Sequence, residues 1–315
     1  MWAWIVGRMG GFVAILAAIS VVTFALLALI PGDPATVMLG AEASRQSIAA
    51  LHKDLGLDRP VPVRFAIWMR DAVRGNLGYS IFSHRPVSAM IGERLSTTLT
   101  LCLFALAVAV AVGVPSGVLG AVRQNSAADQ AVRLFQLLGL SVPDFWLGIL
   151  LLLVFSVELR LVPLVGYKTI TESAGTALRF LALPALALGI VQAANLARMT
   201  RAYMLEVLRH DYVRTARAKG LAGRRVIYRH ALRNALPPVV TVLGIQVGAL
   251  LSGVVVVETV FGLPGVGQLV ISAILTRDYP LIQGVMLYSA VIYALANLAV
   301  DLSYGLMDPR VREAA

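Results

Sequence analysis

Four runs of sequence, 9–30, 97–120, 235–257 and 281–300, contain no charged side chain, and each is long enough to cross a bilayer as a helix. A hydrocarbon core about 30 Å thick takes about 20 helical residues, because backbone polar groups in lipid must bond within their own segment. Two further runs meet that ruler less cleanly: 134–157 contains Pro143 and Asp144, and 180–197 is bracketed by Arg179 and Arg198. The expected fold is therefore all-α and integral to a membrane, with six transmembrane helices. Composition agrees, since 58% of the 315 residues are hydrophobic and 14% charged, outside the range of a water-soluble domain.

The first run is longer than a signal-peptide core, and Ile30-Pro31-Gly32-Asp33 lacks a small-x-small cleavage site, so a retained helix is expected. The net charge of +10 follows membrane topology rather than nucleic acid, because the Lys and Arg abut apolar spans without base-stacking aromatics between them. Basic residues in the short segment 121–133, in 203–236 and at Arg310 and Arg312 place those segments, with both termini, on the cytoplasmic side. The stretch 31–96 then lies outside as an extracytoplasmic cap, and 97–315 forms a five-span core. Within the cap, 44–55 reads as a short amphipathic helix, and Phe65, Trp68, Met69 and Val73 can share one helical face. Cys102, the single cysteine, lies in an apolar run and reads as packing.

The insert 203–236 carries eight Arg or Lys against two acids. No Pro or Gly interrupts 203–219, where Leu205, Leu208, Tyr212, Thr215 and Lys219 recur at three- and four-residue steps, so one surface helix is predicted there. Gly220 can end it, Ala222-Gly223 permits a reversal, and 224–236 can form a second helix stopping at Pro237-Pro238. The alternative is a basic juxtamembrane loop held near anionic lipid. Gly262, Pro264, Gly265 and Gly267 crowd the segment 258–279, which suits either a re-entrant loop or a plain surface turn.

Asp211-Tyr212-Val213-Arg214-Thr215-Ala216-Arg217-Ala218-Lys219-Gly220-Leu221, followed by His230-Ala231-Leu232-Arg233-Asn234-Ala235-Leu236-Pro237, closely resembles the cytoplasmic signature of inner-membrane permeases of binding-protein-dependent ABC importers. The likeness is to the B-type permease of the dipeptide, oligopeptide and nickel branch. It runs nearly end to end, through Pro31-Gly32-Asp33-Pro34, Leu77-Gly78-Tyr79-Ser80, Ser141-Val142-Pro143-Asp144-Phe145-Trp146, Val257-Glu258-Thr259-Val260-Phe261, Pro264-Gly265-Val266-Gly267, Arg277-Asp278-Tyr279-Pro280 and Asp308-Pro309-Arg310. One departure stands out. The general importer pattern has Glu-Ala-Ala where this chain has Arg214-Thr215-Ala216, and Leu236-Pro237 comes later than that pattern expects.

The resemblance implies a type I ABC importer permease fold in a bacterial inner membrane. It implies three kinds of protein partner, a homologous C-type permease, two ABC ATPase subunits and an extracytoplasmic substrate-binding protein, beside the membrane lipid that composition already calls for. It further implies that the hairpin supplies a coupling helix seated in a groove of an ATPase, with Tyr212, Thr215, Ala216, Lys219 and Gly220 at the contact and Arg214, Arg217, Arg224 and Arg225 as charged flanks. Peptides are the implied cargo, with nickel chelates or glutathione as alternatives. Among the polar residues expected within spans (Asp144, Gln192, Asn195, Gln246, Asn297 and Asp301), Gln192, Asn195 and Gln246 are the candidates for a translocation path, against a role as helix–helix glue. No phosphate-cradling Gly-x-x-x-x-Gly-Lys-Ser/Thr loop is present, and the four histidines fall outside the spans, so the chain reads as neither an ATPase nor a metalloenzyme and calls for no cofactor. A stand-alone carrier or channel is the second class. It would show internal repeats or mid-membrane coupling charges, of which only Asp144 and Asp301 are candidates.

Overall fold

The computed structural model describes residues 2–29, 35–36, 44–54, 56, 58–163, 166–170 and 172–307. Pro31-Gly32-Asp33-Pro34, Asp308-Pro309-Arg310 and Arg312 lie outside the described residues. In chain order the helices are α1 (Trp2–Leu29), α2 (Arg45–Asp54), α3 (Val61–Val73), α4 (Val87–Val122), α5 (Ala127–Ser141), α6 (Asp144–Glu158), α7 (Ala174–Val207), α8 (Asp211–Ala218), α9 (Gly223–Val260), α10 (Val266–Thr276) and α11 (Tyr279–Met307). Among the described residues there is no strand, only an isolated bridge between Tyr79 and Pro86.

Among the described residues five helices (α1, α4, α7, α9 and α11) are long and apolar enough to span a membrane alone, and α5 with α6 makes a sixth if the pair, bent by 100°, is one span. The bend is local chemistry. Val142 precedes a proline and is held extended (φ −97°, ψ 124°), so α5 ends and Pro143 caps the start of α6. The last six residues of α6, Leu153–Glu158, wind as a π-helix.

The chain forms two compact units, and α4 and α11 each contribute residues to both. The first unit comprises Met1–Ser96 and Pro264–Leu295. Here α1 meets α3 through Phe24, whose ring lies 5.4 Å from Phe65 and 5.9 Å from Trp68. Phe65, Trp68 and Met69 are partly covered as expected, but Val73, at the end of α3, is 80% exposed. Val87 and Ile91 of α4 pack with Val266, Leu269 and Ala273 of α10 and with Leu281, Ile282 and Val285 of α11. Two motifs remote in sequence meet at the buried Asp278, which accepts from Ser80 Oγ (2.5 Å), Ile81 N (3.2 Å) and Leu281 N (3.3 Å). The breaker-rich stretch after Glu258 is mostly helical rather than irregular: Glu258 closes the last full turn of α9, and α10, at about 16 Å, is half a hydrocarbon thickness.

The second unit, Thr97–Leu263 with Ala296–Ala315, is organised around α7. Leu101 and Ala105 of α4, Leu181, Ala185 and Leu188 of α7, and Leu250, Val254 and Val257 of α9 form its main core. The helices come close because small residues face each other. A Cβ on Gly113 would stand 2.8 Å from the Ala193 carbonyl, one on Gly117 2.7 Å from the Ala197 carbonyl, and one on Gly139 of α5 would collide with Ala194. In lipid, where apolar surface gives helices no drive to associate, such close backbone packing is what holds them. Polar groups add to it: Thr98 Oγ1 donates to the buried Glu258 carboxylate at 2.6 Å.

Candidate functional site

The basic hairpin is built as an extension of two spans. Helix α7 runs to Val207, the chain turns through Leu208, Arg209 and His210, and α8 starts at Asp211 behind an extended His210 (φ −67°, ψ 148°). This corrects the single helix predicted over 203–219. The turn resets the helical phase, so Leu205 and Leu208 do not share a face with Tyr212, Thr215 and Lys219. The buried side of α8 is instead Val213 and Ala216, packed with Val226 beneath Val207, Leu208 and Leu221.

At its far end α8 closes in a Schellman motif. Gly220 N donates to the Arg217 carbonyl (2.9 Å) and Leu221 N to the Ala216 carbonyl (3.4 Å), with Leu221 folding onto the same small core as Ala216. Gly220 has φ +75°, and a Cβ there would meet nothing within 4 Å, so the backbone angle and not space demands glycine. The second arm corrects another expectation. It does not stop at Pro237-Pro238 but continues as one helix, Gly223–Val260, with both prolines inside. Each proline removes one N–H, so the carbonyls of Arg233 and Asn234 lose their usual donors, and a π-helical stretch, Val226–Leu232, lies just upstream.

The two arms are tied directly. Asn234 Nδ2 donates to Tyr212 Oη (3.0 Å) and to the His230 carbonyl (2.7 Å), and the His210 ring stacks on Tyr212 with centroids 5.8 Å apart. The outward face of α8 and its following turn carries Tyr212, Arg214, Thr215, Arg217, Lys219 and Gly220, all exposed, while Arg224 and Arg225 are exposed at the start of α9. Ala216 points inward. Arg214 pairs with Asp211, whereas the side chains of Arg217, Lys219, Arg224 and Arg225 make no ion pair among the described residues.

Behind the hairpin, a cluster that the sequence reading missed pins α5 to α7. Asp129, its side chain fully covered, receives Arg201 as a fork (Nε to Oδ1 2.7 Å, Nη2 to Oδ2 2.9 Å), Arg133 Nη2 (2.6 Å) and Asn125 N (3.0 Å). The Asp129 and Arg133 spacing of four residues is a readable local signal. Arg201, 72 residues away, is not.

The three path candidates are all in this unit. Gln246 of α9 is buried and donates from Nε2 to the Gln192 carbonyl of α7 at 3.1 Å, so these two are brought together across helices. Asn195 is half-buried and accepts from Arg198 on its own helix at 3.0 Å.

Comparison with known proteins places this architecture. The family described as "Binding-protein-dependent transport system inner membrane component" matches residues 113–313, and the model of the corresponding N-terminal part matches residues 1–102. The di/tripeptide transport system permease protein DppB of Pseudomonas aeruginosa is 42% identical over 334 residues, covering 99% of this chain and 99% of the relative. The dipeptide transport system permease protein DppB of Alkalihalophilus pseudofirmus is 40% identical over 332 residues, covering 99% of this chain and 100% of the relative. Among solved structures, a chain of the MetNI methionine ABC transporter in an inward-facing conformation superimposes with a TM-score of 0.55 at 19% identity, covering 70% of this chain and 96% of that chain, a likeness of fold. The chain thus belongs to the inner-membrane components of binding-protein-dependent transport systems: it is a multi-pass permease subunit of an ABC importer, and transport rather than catalysis is its task.

Proposed function

We propose that this chain forms one half of the translocation path of a peptide importer, with a homologous C-type permease as the other half. Two ABC ATPase subunits act on the hairpin side and a substrate-binding protein docks on the opposite side. The peptide cargo rests on the names of relatives that match the chain from end to end. Both termini and the hairpin are cytoplasmic in this reading, and Gln192, Asn195 and Gln246 border the path.

The observation that carries the mechanical part is the division of α8 into two faces. Val213 and Ala216 seat the helix on the start of α9, leaving Tyr212, Thr215 and Lys219 outward, with Arg214, Arg217, Arg224 and Arg225 around them. A partner that presses on the outward face therefore moves α7 and α9 together. Ala216 and Gly220 serve by shaping the hairpin.

The test is cysteine crosslinking in the assembled importer on a Cys102→Ser background. Thr215→Cys is expected to crosslink to an ATPase subunit while Ala216→Cys does not. Thr215→Trp is expected to cut peptide uptake with ATP hydrolysis retained. Absence of any Thr215 crosslink, together with full uptake in Thr215→Trp, would overturn the docking role. Ion-gradient-driven uptake by the chain alone in liposomes would instead establish a carrier.

A further inference from the structure

The second arm carries a cationic feature that shares only Arg225 with the charged surround of α8. Arg225, Arg229 and Arg233 recur every four residues along the start of α9, all exposed, and their side chains make no ion pair among the described residues. Tyr228, 56% exposed, sits among them. Four-residue steps keep side chains on nearly one face, whether the turn is α or π. The result is a one-sided cationic ladder on the stem of a membrane span.

Helix length sets the height of that ladder. Gly223–Val260 is a single helix of 38 residues, about 57 Å at 1.5 Å per residue, against a hydrocarbon core of about 30 Å. With the charge-free run 235–257 in the hydrocarbon, Arg233 lies about 3 Å, Arg229 about 9 Å and Arg225 about 15 Å beyond its edge. Headgroups occupy roughly 5–8 Å on each side of the core. Arg233 therefore stands within the headgroup layer and Arg229 at its outer edge, and Arg225 lies within a Debye length, about 8 Å, of it. An exposed tyrosine at that depth has its ring in the interfacial zone that tyrosines favour.

We infer that Arg225, Arg229 and Arg233 form a docking surface for the headgroups of anionic phospholipid, with Tyr228 in the interface beside them. The lipid contact steadies the second arm while the α8 face remains open to a protein partner. It does not depend on the identity of the transported cargo.

The test uses the purified full chain, titrated with phosphatidylglycerol and, separately, phosphatidylcholine, with bound lipid counted by native mass spectrometry. Wild type is expected to prefer phosphatidylglycerol. R225Q/R229Q/R233Q is expected to lose about fivefold in affinity per arginine, about a hundredfold together, while R225K/R229K/R233K keeps most of it. Phosphatidylglycerol bound as readily by the glutamine variant, or no preference over phosphatidylcholine in wild type, overturns the inference. Equal displacement by inorganic phosphate would make this a free-anion site. Loss of ATPase co-purification in the glutamine variant with lipid binding intact would assign the surface to protein. Either result overturns it. Should the glutamine variant fail to fold, the wild-type preference and the lysine variant decide alone.

Discussion

Replacing Gly117 by alanine tests whether backbone contact sets the spacing of α4 and α7. The added Cβ would stand 2.7 Å from the Ala197 carbonyl oxygen and 2.6 Å from Thr200 Cβ, where ordinary carbon contacts lie at about 3.5–4.0 Å. The carbonyl belongs to a helix backbone and cannot rotate away, so the helices must part by about 1 Å, and overpacking of this kind costs about 1–3 kcal/mol. Alanine also gains about 1 kcal/mol of helix propensity over glycine, which would blur a comparison with wild type. Gly10 of α1 supplies the control, because a Cβ there meets nothing within 4 Å and the propensity gain is the same. Gly117→Ala should therefore fall about 1–3 kcal/mol below Gly10→Ala in stability. Gly113→Ala should behave like Gly117→Ala, since its Cβ meets the Ala193 carbonyl at 2.8 Å. Gly120→Ala should lie between, because its neighbours at 3.1–3.3 Å are side-chain atoms of Val132, Arg201 and Asp129. The assay is the fraction of detergent-purified chain that stays monodisperse after stepwise heating. Adding Thr200→Gly to Gly117→Ala should restore only part of the loss, because the Ala197 carbonyl stays in place. Gly117→Ala as stable as Gly10→Ala would refute the reasoning.

Two further outcomes are expected. Gly220→Ala should destabilise the hairpin by about 1–2 kcal/mol through its left-handed backbone alone, and Gly220→Asn by less, read out as faster limited proteolysis after Arg217 or Lys219. Asp129→Asn should lower the heat tolerance of the chain more than Arg133→Gln, since Asp129 alone receives both arginines and Arg133 is half exposed; equal losses would argue against Arg201 as the principal partner.

The spans were legible because lipid imposes one crude requirement, a charge-free helical length: 97–120, 235–257 and 281–300 each fall within a helix of the structure, as do residues 9–29 of the first run. The break at Pro143 has an equally local cause, a residue held extended before proline. Pro237 and Pro238 misled because the same rule was applied where flanking helix on both sides outweighs two missing N–H groups. The covered face of the hairpin was misread because periodicity assumes an unbroken helix, and no glycine or proline marks the turn at Leu208 to His210. Asp278 and Asp129 were missed for another reason: their partners Ser80 and Arg201 are 198 and 72 residues away, and pairing at that range is a property of the packed chain.

The unbroken helix Gly223–Val260 works as a rod. One end carries the reversal into α8, and the other carries Glu258, buried and bonded to Thr98. Over about 57 Å, a tilt of only about 5° about one end sweeps the other through about 5 Å, close to one helical turn. A change of tilt set at the α8 end therefore appears at the Glu258 end as a displacement of several ångströms. The wide π turns at Val226–Leu232 are where such a rod would first bend.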